Sequence, residues 1–330
     1  MNSFGRLFRV SIFGESHGES VGITVDGCPA GLQLTADDLL PDLERRKGGI
    51  QKGTTPRQEA DYPFFKSGLF NNKTTGFPIT ILFENNNTRS EDYNKQRSIP
   101  RPGHADWVAH QKFGGFEDYR GGGHFSARLT TGIVAAGAIA KKLMPGIQID
   151  ARVISIGGET DTEKGLQKAI EAKDSVGGVV ECRVTGLPVG LGEPYFDSVE
   201  SVLAHILFAI PAVRGVEFGT GFAAAAMFGS EHNDAIEDIS GKTRTNHAGG
   251  VVGGISNGNE LVFRLAVKPT SSTSRIQNSL NWETGLTEDF SIKGRHDLCV
   301  ALRAPVIVEA VTAIVLVDFM LLEHKIKRVL

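Results

Sequence analysis

The chain has 330 residues, of which 40% are hydrophobic and 22% are charged, and its formal net charge is −3. This composition is typical of a globular protein with one large core or two smaller ones. Because non-specific nucleic-acid binding depends on an excess of Lys and Arg on one face, the net charge argues against that function.

The cysteines and the apolar stretches indicate the compartment. Three cysteines lie far apart, without a C-x-x-C pair, which predicts a reducing, cytoplasmic location. The N-terminus MNSFGRLFRV lacks the apolar core of a signal peptide. The most apolar stretch, Ala304 to Leu322, is interrupted by Glu309 and Asp318, so we expect a buried helix there and no membrane span.

The first predicted elements are two strands, Arg6 to Phe13 and Val21 to Val25, around the sequence GESHG. This sequence fits the G-x-S-x-G pattern of a hydrolase nucleophile elbow, with Ser16 as the serine. An elbow needs a strand-to-helix turn in a parallel sheet, and a parallel strand pair needs a crossover of about a dozen residues. The residues before Gly14 are too few, so the loop needs another function.

A helix is predicted next, and it leads into the first of two polar loops. Thr35 and Asp38 form a capping pair, leucines follow at helical spacing, and Gly48 ends the helix. The helix carries Arg45, Arg46 and Lys47 to its C-terminal end, where they either compensate the helix dipole or bind a ligand. Residues 47–57 and 85–103 are polar and long enough to be active-site loops.

The remainder of the chain predicts further helices and strands. In order they are a helix from Phe125 to Met144, a strand near Ile147 to Ile156, a helix near Val202 to Ile210, a hairpin over Gly249 to Val267, and a terminal helix from near Pro305. No fixed-period repeat interrupts them. The pattern predicts a mixed α and β protein that forms one compact unit.

Four segments combine glycine, a cation and a proton carrier: GESHG at His17, RPGHAD at His104, YRGGGHFSAR ending at Arg128, and KGRHD at Asp297. A single histidine beside glycines is more often a structural hydrogen-bonding group than a catalyst. Two histidines in one pocket would form a proton donor pair, because their pKa is near 6.5.

Glycine runs and the segment KPTSS, Lys268 to Ser272, suggest binding of phosphate or carboxylate. KPTSS fits a phosphate cradle and a polar turn equally well. Neither a P-loop nor a dinucleotide fingerprint is present. His104 with Asp106, and His296 with Asp297, could each offer two metal ligands, but the usual ligand sets are missing, so we expect no metal.

Together these segments resemble the chorismate synthase family. FGESHGESVGITVDGCPAG (residues 13–31), YRGGGHFSAR and GRHDLCVALRAPVIVEA (residues 294–310) are similar to its three signatures, and RPGHADW, NHAGGVVGGISNG and LAVKPTSS to further blocks. The resemblance implies a carbon-oxygen lyase that converts 5-enolpyruvylshikimate 3-phosphate to chorismate and phosphate by 1,4-anti elimination. This is the final step of the shikimate pathway, toward the aromatic amino acids. It implies a requirement for reduced FMN without net redox change.

The resemblance also implies roles for individual residues. His17 would protonate the reduced flavin, His104 would protonate the leaving phosphate, and Asp297 would act as the base with the flavin. The implied substrate-binding residues are Ser16, Arg46, Lys52, Arg101, Arg128 and Arg295, with Lys52 in place of the usual arginine. The implied cofactor-binding residues are Ser126, Ala212, Gly253, Lys268, Pro269, Thr270, Ser271, Ser272 and Arg295.

The fold implied by the resemblance is α+β, a β-α-β sandwich in a single domain over residues 1–330. The implied partners are three further copies of the chain in a homotetramer and an external flavin reductase that supplies reduced FMN, with NADP as an associated nucleotide. Nucleic acid and membrane are not expected. Two alternatives remain open: a flavin or phosphometabolite binder without turnover, and a serine hydrolase that uses Ser16.

Overall fold

The computed structural model describes residues 2–49, 51–88, 97–292 and 296–330. The strands in chain order are β1 (Ser3–Phe4), β2 (Arg9–Gly14), β3 (Ser20–Asp26), β4 (Phe64–Ser67), β5 (Leu69–Phe70), β6 (Lys73–Thr74), β7 (Ile79–Glu84), β8 (Gln148–Ile156), β9 (Gly178–Thr185), β10 (Val213–Phe218), β11 (Val251–Val252), β12 (Ile255–Ser256), β13 (Leu261–Val267), β14 (Gln277–Leu280) and β15 (Thr287–Phe290). The helices are α1 (Leu40–Arg46), α2 (Asp106–Phe113), α3 (Thr130–Lys142), α4 (Thr162–Ala172), α5 (Val199–Leu207), α6 (Gly229–His232) and α7 (Ala304–Leu322).

Two antiparallel sheets form the outer layers. The first has the strand order β1-β2-β3-β7-β4, and the second has the order β10-β13-β9-β8. In β3, Val21, Ile23 and Val25 are fully buried, and their alternation with more exposed residues turns one face of the sheet inward. Ile23 pairs with Ile81 of β7, so both strands contribute to the same apolar face.

The helical layer lies between the sheets. Helix α3 packs on β3 and on α7, and α7 packs on β8 and β9. The buried apolar residues of both sheets and of these helices belong to one cluster. The arrangement agrees with the predicted β-α-β sandwich.

Helix α7 is the buried helix that the sequence predicts. With the preceding turn it spans Val300–Leu322, long and apolar enough to cross a membrane, but 83% of its apolar window is buried within the protein. The Glu309 carboxylate is paired with Arg45 at 2.6 Å and with Lys141 at 2.9 Å. These ion pairs compensate the cost of burying a charge in an apolar helix.

Two predicted elements differ in the structure. The predicted strand at Arg6 begins only at Arg9, because the backbone N–H groups of residues 6, 7 and 8 donate to the Asp318 carboxylate of α7. The predicted hairpin over Gly249 to Val267 is wrong in its second half. Strands β11 and β12 form a short hairpin, whereas β13 pairs with β9 and β10 in the second sheet.

Candidate functional site

A cavity of about 660 Å³ lies where the ends of many elements meet. Its wall includes the loop after β2, the end of α1, the start of α3, the segment after β13 and the turn before α7. Among the described residues, eight Lys or Arg side chains and three carboxylates line it. This excess of cations favours an anionic ligand.

The GESHG loop lies at one wall of this cavity. It joins the antiparallel strands β2 and β3, so the strand-to-helix turn of a nucleophile elbow is absent. Ser16 Oγ accepts a hydrogen bond from Arg57 Nη1 at 3.2 Å. The His17 ring is 8% exposed and lies against Gly121, where a Cβ would come within 2.4 Å of it. The absence of a side chain at Gly121 therefore makes room for the histidine.

His104 forms a cluster with Arg101 and Asp106. His104 Nδ1 is 2.6 Å from Asp106 Oδ1, and Arg101 donates to both oxygens of the same carboxylate at 2.7 Å. Burial lowers the pKa of His104, although the hydrogen bond to Asp106 opposes that shift. Burial disfavours ionised Asp106, but the hydrogen bonds from Arg101 and His104 outweigh it and hold the pKa of Asp106 well below its usual range.

Arg46 and Arg128 share a second buried carboxylate. Arg46 Nη2 donates to Asp61 Oδ2 at 2.8 Å, and Arg128 Nη1 donates to Asp61 Oδ1. Burial opposes the ionisation of Asp61, yet the two guanidinium groups lower its pKa. Burial also lowers the pKa of Arg46 to about 10, despite the attraction of Asp61. Arg46 Nε is buried and has no hydrogen-bond partner among the described residues, so it is available to a ligand.

Asp297 lies on the cavity wall, before α7. Its Oδ1 accepts from the Thr55 N–H at 2.8 Å, and its Oδ2 accepts from Arg303 Nη1 at 3.0 Å. Arg303 Nε also donates to the carbonyl oxygen of Arg46 at 3.0 Å. Thr55 and, through Arg303, the end of α1 therefore hold Asp297 in one orientation.

The segment Lys268 to Ser272 forms a cationic corner of the cavity. Lys268 Nζ donates to Gly103 O and Ser271 Oγ, both at 2.8 Å. Thr270 Oγ1 is buried and lacks a hydrogen-bond partner in the described part of the chain. Ala212, on the same cavity, has φ of 74°, an uncommon conformation for a residue with a side chain. An ammonium group, hydroxyls and an unpaired buried oxygen fit the phosphate of a cofactor.

Most of the residues predicted for the site lie together. Those on the cavity wall are Ser16, Arg46, Arg101, His104, Ser126, Arg128, Ala212, Lys268, Pro269, Thr270, Ser271, Ser272 and Asp297. Lys52 instead lines a separate cavity beside α4, where it donates to Gln167 at 3.3 Å. His17 lies against Gly121 of the wall and does not itself line the cavity. Gly253 lies in the turn between β11 and β12, apart from the lining of the cavity. Arg295 lies outside the described residues.

The sequence reasoning missed several charged residues of the site, among them Arg57, Asp61 and Arg303 on the cavity wall and Asp106, which contacts His104. Asp106 stands in the RPGHAD segment, where the sequence suggests only a metal ligand for it. Arg57 stands in the first polar loop, whose composition already suggested binding. Among the described residues, no group of three or more His, Cys, Asp and Glu is arranged to hold a metal ion.

Comparisons with known proteins give a consistent family. The family model described as chorismate synthase matches residues 8–321. A chorismate synthase of Chitinophaga pinensis is 69% identical over 330 residues, which cover all of this chain and 99% of that relative. One from Dehalococcoides mccartyi is 46% identical, with the same coverage. A chorismate synthase crystal structure matches with a TM-score of 0.72 at 27% identity, over 97% of this chain and 93% of its own.

Proposed function

The chain belongs to the chorismate synthase family, and on that premise we propose that its cationic cavity converts 5-enolpyruvylshikimate 3-phosphate to chorismate and phosphate. The reaction is a 1,4-anti elimination, the final step of the shikimate pathway. One observation carries the proposal: side chains from separate histidine, arginine and aspartate motifs line a single cavity.

The substrate is bound by the arginines. It carries one phosphate and two carboxylates, and guanidinium groups bind such anions through paired hydrogen bonds. Arg46, Arg101 and Arg128 are buried on the cavity wall, and Arg46 Nε is free of partners in the described part. Ser16 adds a hydroxyl. Roles for Lys52 and Arg295 stay predictions from the resemblance, because Lys52 lies at another cavity and Arg295 outside the described residues.

Two histidines and one aspartate handle protons. His104 donates from Nε2 to the leaving phosphate, since its Nδ1 contacts Asp106. His17 holds a proton beside the cofactor, and its ring occupies the space left by the missing side chain of Gly121. Asp297 accepts the C6 proton, and its contacts with Thr55 N–H and Arg303 fix the direction of its carboxylate.

Reduced FMN fits the remaining part of the cavity. Its phosphate would be held by Lys268 and the hydroxyls of the KPTSS segment, with Ser126 and Ala212 nearby on the wall. When bound, reduced FMN supplies electron density that assists the loss of phosphate without net oxidation. An external flavin reductase, linked to NADP, supplies the reduced cofactor. A role for Gly253 stays a prediction from the resemblance, because Gly253 lies in the β11–β12 turn, apart from the lining of the cavity.

The wider proposals concern assembly and location. The chain acts as one domain, which the single contiguous core supports, and it works in the cytoplasm. It forms a homotetramer, and an exposed apolar surface supports this: Phe222, Phe228, Ile236 and Ile239 are each more than 70% exposed. Light scattering on the eluting protein tests the mass, and a monomer would contradict the assembly.

The first experiment is an anaerobic assay with FMN, dithionite and 5-enolpyruvylshikimate 3-phosphate. Chorismate absorbance and phosphate release should rise together, and oxidised FMN should support neither. Folded, FMN-loaded protein that formed neither product would favour the non-catalytic binder. Labelling of Ser16 by a serine-directed phosphonate would favour the hydrolase.

A further inference from the structure

The Asp106 carboxylate contacts His104, which the proposed function assigns to the leaving phosphate, and Arg101, which it assigns to substrate binding. His104 Nδ1 is 2.6 Å from Oδ1, and Arg101 Nε and Nη2 are each 2.7 Å from one of the two oxygens. We infer that Asp106 is a positioning residue for the elimination, which accepts a hydrogen bond from Nδ1–H of the protonated His104 ring, so that Nε2–H faces the substrate, and which keeps Arg101 beside it. The inference rests on the proposed function, in which His104 is the proton donor to phosphate.

The orientation of the ring follows from the contact atoms. An ionised carboxylate only accepts hydrogen bonds, so Nδ1 of His104 carries the hydrogen in its contact with Asp106. Arg101 Nη2 lies 3.0 Å from the same Nδ1, and these two donors approach each other because Asp106 Oδ1 accepts from both. Proton exchange is then confined to Nε2, as in other His–Asp pairs in which the carboxylate orients the ring.

The surroundings leave Nε2 a restricted position. A Cβ on Gly122 would lie 3.4 Å from His104 Nε2, so the glycine packs against the ring without covering it. His104 and Arg101 line the main cavity and also a second one of about 420 Å³. The pair therefore forms a partition between two cavities, and Asp106 sits behind it on the side of the second cavity.

The electrostatic contribution of Asp106 is opposite in sign to those of the other neighbours. Burial lowers the pKa of His104, and the charges of Arg101 in its own loop and Lys268 after β13 lower it further. Asp106 raises that pKa through its hydrogen bond and its charge. Without the carboxylate, a smaller fraction of His104 is protonated at neutral pH. As the pH rises, His104 would then lose its proton at a lower pH than in the wild type.

The turn that carries these groups is held by hydrogen bonds within it and by a hydrogen bond to the segment Lys268 to Ser272. Arg101 N donates to Asp106 Oδ2 at 3.0 Å, and His104 N donates to Arg101 O at 3.1 Å. Arg101 Nη1 donates to Ser272 Oγ at 3.3 Å. Asp106 is also the first residue of α2, where a negative charge is favourable. One carboxylate thus sets the geometry of donor, cation and turn.

The test compares Asp106→Asn with Glu283→Gln, which removes a carboxylate from the lining of the same second cavity. The pKa of His104 is measured by ¹⁵N NMR in ligand-free protein, with His104→Gln used to assign the signal. We expect Asp106→Asn to lower that pKa by about 1 unit or more. The alkaline limb of the kcat profile should move to lower pH by the same amount. Glu283→Gln should leave both unchanged.

Folding of the variants is checked by circular dichroism, and Asp106→Glu provides a second comparison. It keeps the negative charge, so His104 should retain a pKa closer to that of the wild type than in Asp106→Asn. Equal shifts in the two variants, or no shift in folded Asp106→Asn, would overturn the inference. If His104→Gln kept wild-type turnover, the proposed role of His104 would fail, while the NMR result would still report on the contact with Asp106.

Discussion

Gly121 lies against the His17 ring with φ of 60°, so a side chain there is unfavourable for two reasons. In Gly121→Ala the new Cβ would lie 2.4 Å from His17 Cδ2 and 2.9 Å from Ser16 Oγ, and both groups must shift. We expect kcat to fall about 100-fold, as small displacements of reacting groups can produce. The left-handed backbone adds a stability loss of about 1 kcal/mol.

Steady-state kinetics and urea unfolding separate these two effects. Gly285→Ala is the matched control, because Gly285 has φ of 71° and a Cβ there would contact nothing within 4 Å. It should lose similar stability and keep its kcat. Equal kcat values for the two variants would show that the space beside His17 has no part in turnover.

Asp61 stabilises the protein through its pairs with Arg46 and Arg128, and this effect depends on pH. In Asp61→Asn two buried cations lose their counter-charge, so we expect the free energy of unfolding at pH 7 to fall by about 3–5 kcal/mol. The pKa of Asp61 is lowered by folding from an unfolded value of about 3.9, so its contribution is complete above that pH and is lost as the pH falls toward the folded pKa.

Urea unfolding between pH 7 and pH 3 measures this difference. The gap between wild type and Asp61→Asn should be largest at pH 7 and should narrow below about pH 4. Asp37→Asn, at an exposed position, serves as the control and should stay close to the wild type throughout. A gap that widened on acidification would contradict the assignment of Asp61 as the buried anion.

The charged residues that the sequence reasoning missed have a common physical cause. Asp61 pairs with Arg128, 67 positions away, and Arg303 donates to the carbonyl oxygen of Arg46, 257 positions away; local sequence does not report such pairings. Asp106 is different, because it lies two positions from His104 in one motif. A histidine followed by an acid fits a metal ligand pair and an oriented imidazole equally, and only the distances separate the two.

At the scale of elements, the sequence predicted those helices and strands that depend on residues close together in the chain. The strand near Ile147 and the terminal helix were confirmed within a few residues, because their apolar patterns are long and continuous. The hairpin ending at Val267 was wrong in its second half, since the pairing of β13 with β9 depends on residues about 80 positions earlier. Pairing between strands that are distant in the sequence is not readable from the spacing of glycines.

The loop of residues 51–57 and the segment with Asp297 form a coupled element. Gly53 O accepts hydrogen bonds from Leu298 N at 2.9 Å and Cys299 N at 3.1 Å. In Gly53→Ala the Cβ would lie 2.7 Å from Leu166, and φ of 91° disfavours alanine. We expect the loop to shift, Thr55 to lose its bond to Asp297, and kcat to fall about 10-fold or more.

The control for this loop is Gly158→Ala, where φ is 82° and the Cβ would meet nothing within 4 Å. Both variants should lose about 1 kcal/mol of stability, but only Gly53→Ala should lose turnover while it still binds FMN, measured by fluorescence quenching. If Gly158→Ala lost as much kcat as Gly53→Ala, backbone strain alone would explain the result and the coupling would be refuted.

At the scale of the whole molecule, the site depends on how closely the two central helices pack. Helix α3 begins beside Arg128, and α7 begins just after the turn with Asp297, so their separation sets the width of the cavity. Gly137 is the contact point: a Cβ there would lie 2.3 Å from Ala310 Cα, a backbone atom. The apolar layers of both sheets pack on these helices, so a displacement would extend through the core.

Gly137→Ala should therefore destabilise the protein, although alanine favours helices over glycine by about 1 kcal/mol. Overpacking costs about 1–3 kcal/mol, and here it falls on backbone that cannot rotate away. Urea unfolding should show a lower free energy of unfolding, and kcat should fall with it because Arg128 and Asp297 move apart. Gly229→Ala in α6, where a Cβ meets nothing within 4 Å, should be neutral or slightly stabilising. A gain in stability for Gly137→Ala would mean that the helices can separate without cost, and that the cavity width is set elsewhere.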